Sequence, residues 1–272
     1  MLSAGLGLTA LGLASLGLPP LGLSALAFMV LGLIAGVLVG CVGIGGVIIV
    51  PVLAYIGGVP FQTAIPAASA AYIISGIIGT LAYAFAGLVP WRAAWPLFIA
   101  AMPAALIGAV TSSIAPVTVL EILIGILAAS SGYHALTASP EAAHGTRFEM
   151  GAGKLGGIGA VTGFGSALTG TGGPLILVPL LIRLECPVIT AIGMAQVIQL
   201  PIAILATAAN VWAKAIEPVL AISLAAGLAG GTWGGARIAH ALPRATLKRV
   251  VAVVLTICGG IILAKVAARL LL

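Results

Sequence analysis

Two glycine clusters mark the places where an otherwise apolar chain could do polar chemistry. Gly43-Ile44-Gly45-Gly46 and Gly170-Thr171-Gly172-Gly173 each interrupt a long apolar run, and Gly170 follows Gly43 by 127 positions. A helix that restarts after such a break points free N–H groups and partial positive charge out of its first turn, which suits an anion. Pro174, directly after the second cluster, fits that reading, because a first-turn residue has no need of its N–H. Gly43, Gly45 and Gly46 in the first cluster, and Gly170, Gly172 and Gly173 in the second, would let a ligand reach the backbone; Thr169 and Thr171 add hydroxyls. Glycines can also serve only to bring helices close. That plainer reading is the better one for Gly32, Gly36, Gly159 and Gly163, but the anion site is the better one for the GxGG clusters.

Further polar candidates follow from the same offset. It pairs Ser69 with Gln196 and Tyr72 with Gln199, early in the apolar runs that follow the breaks. Glutamine inside an apolar helix is costly without a partner, and Gln196 and Gln199 share one helix face. Either they line a cavity or they hydrogen-bond a neighbouring helix; for Gln196 the repeat partner favours lining. Ser75 reads as bonding its own backbone. Charges are scarce. There is no Asp, and of five acidic residues only Glu121 falls inside an apolar run, where Thr118 and Glu121 after Pro116 read as a capping box. Arg237 could neutralise an anion but reads better as an anchor at a membrane surface. His134, His144 and His240 lack metal-ligand spacing, and no cofactor is expected. Gly163-Phe164-Gly165-Ser166 with His240 could make an intramembrane serine hydrolase, but such strings arise freely among 38 glycines.

The elements that must hold these residues belong in a membrane. The chain has 272 residues, 62% apolar and 6% charged, far below the roughly 25% charge of a soluble domain. The net charge of +6 comes from eleven basic residues scattered at segment ends, without interleaved aromatics, so nucleic acid is not the partner; the lipid bilayer is. Cys41, Cys186 and Cys258 are unpaired packing thiols. Trp91, Trp95 and Trp212 sit near segment ends, as interfacial tryptophans do. Residues 1–21 form an apolar extension without the basic start of a signal peptide.

Apolar blocks run over about 22–58, 63–86, 93–114 and 117–137, and then, after a polar linker at 138–154, over about 155–184, 187–210, 216–240 and 246–270. The first block of each four is too long or too interrupted for one plain helix, and the GxGG clusters fall within these two. The offset also sets PFQTAI at 60–65 against PVITAI at 187–192, which marks an internal duplication. The predicted fold is therefore an all-α membrane bundle of two four-segment repeats, 22–137 and 155–272. If each first segment dips in and returns, the second repeat is inverted. One face then carries Arg92, Arg147, Lys154, Arg183, Arg237, Arg244, Lys248 and Arg249, and the other only Lys214, Lys265 and Arg269. That asymmetry puts the linker in the cytoplasm and both termini outside. Paired, interrupted segments in duplicated halves point to a secondary transporter with its site between the halves.

The segment VGIGGVIIVP at 42–51, its counterpart TGTGGPLILVP at 169–179, and GGARIAHALP at 234–243 resemble the sulfite exporter TauE/SafE family, also called TSUP, over roughly residues 25–270. The resemblance implies a multi-pass protein of the cell inner membrane that moves sulfite, organosulfonates such as sulfoacetate, or other small sulfur anions. Ile44 and Pro174 are where this chain departs in detail. Import or export, the coupling ion (proton or sodium) and a homodimer stay open, and a passive anion channel is the alternative.

Overall fold

Helices with no polar face, joined by short turns, make up all the regular structure among the described residues of the computed structural model, which are 20–43, 46–137, 150–184, 186–241, 253, 256–257 and 259–268. In chain order they are α1 (Pro20–Val42), α2 (Gly46–Tyr55), α3 (Phe61–Phe85), α4 (Trp91–Ile114), α5 (Val117–Thr137), α6 (Ala152–Thr169), α7 (Pro174–Arg183), α8 (Val188–Trp212), α9 (Pro218–Ala241) and α10 (Gly259–Ala268). The apolar extension up to residue 19, Ile44, Gly45, the linker through Glu149 and most of the last apolar block lie outside the described residues. Among the described residues, five helices are long and apolar enough to cross a bilayer. Large apolar side chains such as Phe85, Ile114 and Trp212 face outward, where lipid would cover them. The chain is an all-α membrane protein.

Each first segment is divided at its glycine cluster, α1 from α2 and α6 from α7. Proline sets several other starts: α3, α4 and α8 follow Pro60, Pro90 and Pro187 at their caps. The first turn of α5 is likewise tied to Pro116, whose carbonyl accepts from Val119 and Leu120. Thr118 therefore lies inside the first turn, not at the cap of the expected capping box. Glu121 is buried, and its carboxylate accepts the Tyr55 hydroxyl at 3.1 Å.

Helices pack through glycine stripes. A Cβ on Gly32 would meet the Leu224 carbonyl, and one on Gly36 the Leu228 carbonyl, so α1 and α9 run parallel in near backbone contact. A Cβ on Gly159 or Gly163 would likewise strike Leu97 or Ala101, so α6 runs parallel to α4. These four glycines are packing positions, since a side chain at any of them would force two helices apart. The contacts correspond at the sequence offset: Gly32 with Leu224 becomes Gly159 with Leu97. Each first helix thus packs on the third long helix of the other half.

The central pair is α3 with α8. Gln199 lies against Tyr72, Gln196 against Thr80, and Gly193 against Tyr83, so the two helices are antiparallel. They are also each other's counterparts at the offset of 127, and the Gln199–Tyr72 contact joins an equivalent pair. Equivalent helices that run in opposite senses are related by an axis across the bundle, not along it. Gln62 and Pro66 at the start of α3 share a cavity with Ser112 at the end of α4 and Asn210 near the end of α8. Tyr83, near the end of α3, reaches Gly40 near the end of α1. One end of the bundle, the terminal face, thus holds the starts of α1, α3 and α9. The linker face holds their ends and the starts of α4, α6 and α8. Arg92, Lys154, Arg183 and Arg237 fall toward the linker face, and Lys214 and Lys265 toward the terminal face.

Candidate functional site

The two breaks meet in the middle of the bundle. A Cβ on Gly46 would strike the Thr171 carbonyl and lie 2.6 Å from the Tyr72 hydroxyl. Only glycine lets the first break come this close to the second. Gly43 faces Pro174, Ile192 and Val178, while its counterpart Gly170 faces Ile65 and Val50. Ile65 and Ile192 are themselves equivalent at the offset of 127. Gly43, Gly46 and Gly170 through Gly173 are all buried; Gly45 lies outside the described residues.

The second break is a turn built on glycine conformations. Gly170 caps α6 in the left-handed conformation at φ 65°, Gly172 has φ 82°, and Gly173 has φ 95° and ψ −57°. The last pair of angles is a conformation that only glycine holds without strain. After this turn α7 starts with Pro174 and passes its first carbonyl bonds to Ile176 and Leu177, which donate to Gly173. The N–H groups of Gly172, Gly173 and Leu175 find no backbone acceptor among the described residues. The first N–H groups of any helix lack partners within the helix, and such groups can take an anion. Ser166, in the last turn of α6, adds a buried hydroxyl without a partner.

The remaining polar residues brace this turn. Thr169 donates to Gly165 at 2.7 Å and stands 2.9 Å from the Thr171 hydroxyl, so the Thr171 proton goes to Thr169. Tyr72 donates to the Gly46 carbonyl at 2.9 Å, and its ring lies over Gly172. Gln196 donates to the Val39 carbonyl at 2.7 Å, tying α8 to α1, with its side-chain Oε1 unpartnered among the described residues. Gln199 reaches the Tyr72 carbonyl at 3.5 Å. Ser69 bonds its own helix at Ile65. Ser75, expected to do the same, instead meets the Thr232 hydroxyl at 3.0 Å and links α3 to α9. Arg237 is exposed with its guanidinium 3.8 Å above the Trp233 ring, the posture of a surface anchor. No group of three His, Cys, Asp or Glu able to hold a metal is found among the described residues.

Thr207, Asn210 and Thr232 escaped the reading by offset. Asn210 left a signal nonetheless, as the only asparagine in the sequence and one set inside an apolar run.

A bundle of apolar helices, with two half-helices meeting at glycine turns inside it, defines a multi-pass membrane protein with a buried backbone site. The chain belongs to the sulfite exporter TauE/SafE family, whose model matches residues 28–262. Among curated proteins and among solved structures no match is found. Family membership makes the chain a membrane transporter of sulfur anions.

Proposed function

We propose that the protein is a secondary transporter for a compact sulfur oxyanion, sulfite or an organosulfonate such as sulfoacetate. The anion is held where the two breaks meet. The carrying observation is that Gly172, Gly173 and Leu175, buried at the start of α7, donate their N–H groups to no backbone carbonyl among the described residues. Neither break contains Lys or Arg, so the site relies on oriented donors. Several short N–H bonds suit a group with several equivalent oxygens. A charge left partly uncompensated can also be released, as transport requires.

The antiparallel pairing of the equivalent helices α3 and α8 supports an inverted repeat. In such a protein, exchanging the conformations of the halves opens the site to the other face. The basic residues toward the linker face favour a cytoplasmic linker. The deciding experiment is flux in vesicles reconstituted with purified protein. Sulfoacetate accumulation driven by an imposed proton or sodium gradient, beyond the level set by the membrane potential, is the expected outcome. Equilibration without accumulation under either gradient makes the protein a passive channel.

A further inference from the structure

Between the breaks and the terminal face the bundle encloses a cavity of about 190 Å³, lined by Gln62, Ile65 and Pro66 of α3, Ser112 and Ser113 of α4, and Asn210 of α8. Ile65, one of its lining residues, packs on the second break, where a Cβ on Gly170 would lie 3.1 Å from the Ile65 Cα. Asn210 is 1% exposed and its amide nitrogen has no partner. Thr207, one turn earlier on α8, also has a buried hydroxyl without a partner. Leaving a buried donor unsatisfied is costly. Such a group beside a cavity is suited to a partner that comes and goes.

The equivalent positions in the other half are occupied differently. The offset relates Asn210 to Tyr83 and Thr207 to Thr80. There the Tyr83 hydroxyl donates to the Gly40 carbonyl at 3.1 Å, and the Thr80 hydroxyl donates to the Gln196 carbonyl at 3.1 Å. One set of donors is therefore locked onto backbone toward the linker face, while its counterpart stands free toward the terminal face. Gln62 and Ser113 have Ile189 and His240 as their counterparts, so a matching neutral polar wall is not repeated on the linker side.

We propose that this cavity is an anion-binding vestibule, in which Asn210 holds a sulfonate or sulfite group between the terminal face and the glycine breaks. The Tyr83 and Thr80 bonds close the corresponding route on the linker side. This rests on the transport reading above, and the experiment separates the two.

The chain with Ser113→Cys is reconstituted in vesicles of known orientation. It is treated with a small, charged, membrane-impermeant methanethiosulfonate, and labelling is counted above that of the parent chain. Sulfoacetate is the probe, because sulfite itself attacks the reagent. Expected are modification from the terminal face only, slowing by several-fold with saturating sulfoacetate, and roughly tenfold weaker sulfoacetate binding in Asn210→Leu, the loss of about one hydrogen bond to a charged group. Modification from the linker face alone overturns the vestibule. So does a rate that sulfoacetate leaves unchanged while the parent protein binds it, which would make the cavity a water pocket off the route. If calorimetry shows that the parent protein binds no sulfoacetate while it does bind sulfite, Asn210→Leu is read with sulfite, and unchanged affinity overturns the vestibule alone. If the parent binds neither anion, the transport reading falls and the vestibule falls with it.

Discussion

Replacing Gly173 by alanine separates the donor site from helix packing. An added Cβ has room there, since the nearest atom, Ile202 Cδ1, is 3.5 Å away. The backbone is the obstacle. At φ 95° and ψ −57° an alanine is strained by about 1–3 kcal/mol, and the turn relaxes by rotating the peptide planes around residue 173. That rotation redirects the N–H groups of Gly172 and Gly173. A hydrogen bond to a charged group contributes about 1.5–3 kcal/mol. Losing two of three therefore weakens binding by roughly 3–6 kcal/mol, or at least about a hundredfold at 1.4 kcal/mol per decade. Gly32→Ala is the control. Its Cβ would sit 2.5 Å from the Leu224 carbonyl and 3.2 Å from the Gly227 Cα, so α1 and α9 must part at an overpacking cost of about 1–3 kcal/mol. Both variants should unfold at lower temperature in detergent, but only Gly173→Ala should lose affinity for sulfoacetate or sulfite in a calorimetric titration of monodisperse protein. If Gly173→Ala binds as the parent does, or if both variants lose affinity equally, the N–H cradle is not the site.

Three further outcomes are expected. A reporter active only in the cytoplasm should be active when fused in the linker near Arg147 and silent when fused after Arg269; activity at both places contradicts the inverted arrangement. Gln196→Leu should cost about 1 kcal/mol or less, the worth of one helix-to-helix hydrogen bond in a membrane protein. It should also change anion affinity by less than about threefold, because the amide donor already serves the Val39 carbonyl; a large loss of affinity in titration would place Gln196 on the ligand. Burial pushes the thiol of Cys186, in the turn between α7 and α8, up to about 12. Its thiolate is then nearly absent at pH 8, and alkylation should be slow until the protein is unfolded. Rapid modification of folded protein at that pH would show that this turn opens.

The fold was legible because a membrane leaves few ways to arrange such a sequence. A chain with 6% charge has no surface for water, and the duplicated PFQTAI and PVITAI segments fix equivalent positions in the two halves. The broken first segments could be read for the same reason. Glycine clusters inside apolar runs free backbone groups that lipid cannot satisfy, and the structure divides both runs there. Single side chains were harder. Ser75 and Ser69 look alike in sequence, yet one meets Thr232 on α9 and the other its own helix. That choice depends on how α3 and α9 face each other, which no local spacing encodes. Glu121 met Tyr55 of α2 because α2 turns back into the bundle. The capping-box reading considered only the residues beside Glu121 in the chain.

The halves match in backbone but not in side chains, and that difference bears on direction. Gly43 and Gly170, or Ile65 and Ile192, are the same residue in the same role, so the scaffold can be traded between the halves. Tyr72 and Gln199, Tyr83 and Asn210 are not. A perfectly symmetric pair of routes would hold the anion equally well from either face. Here the linker-side donors are spent on the Gly40 and Gln196 carbonyls, and the terminal-side donors have no partner in the protein. On the vestibule proposal, an anion bound to those donors favours the terminal-open state, in which the cavity beside them is open. By linkage, a ligand shifts an equilibrium only by its difference in affinity between the two states. Asn210→Leu should therefore weaken binding from the terminal face more than from the linker face. Comparing uptake with efflux in oriented vesicles measures that bias, and equal loss in both directions would mean that the asymmetry of the side chains does not set the direction of transport.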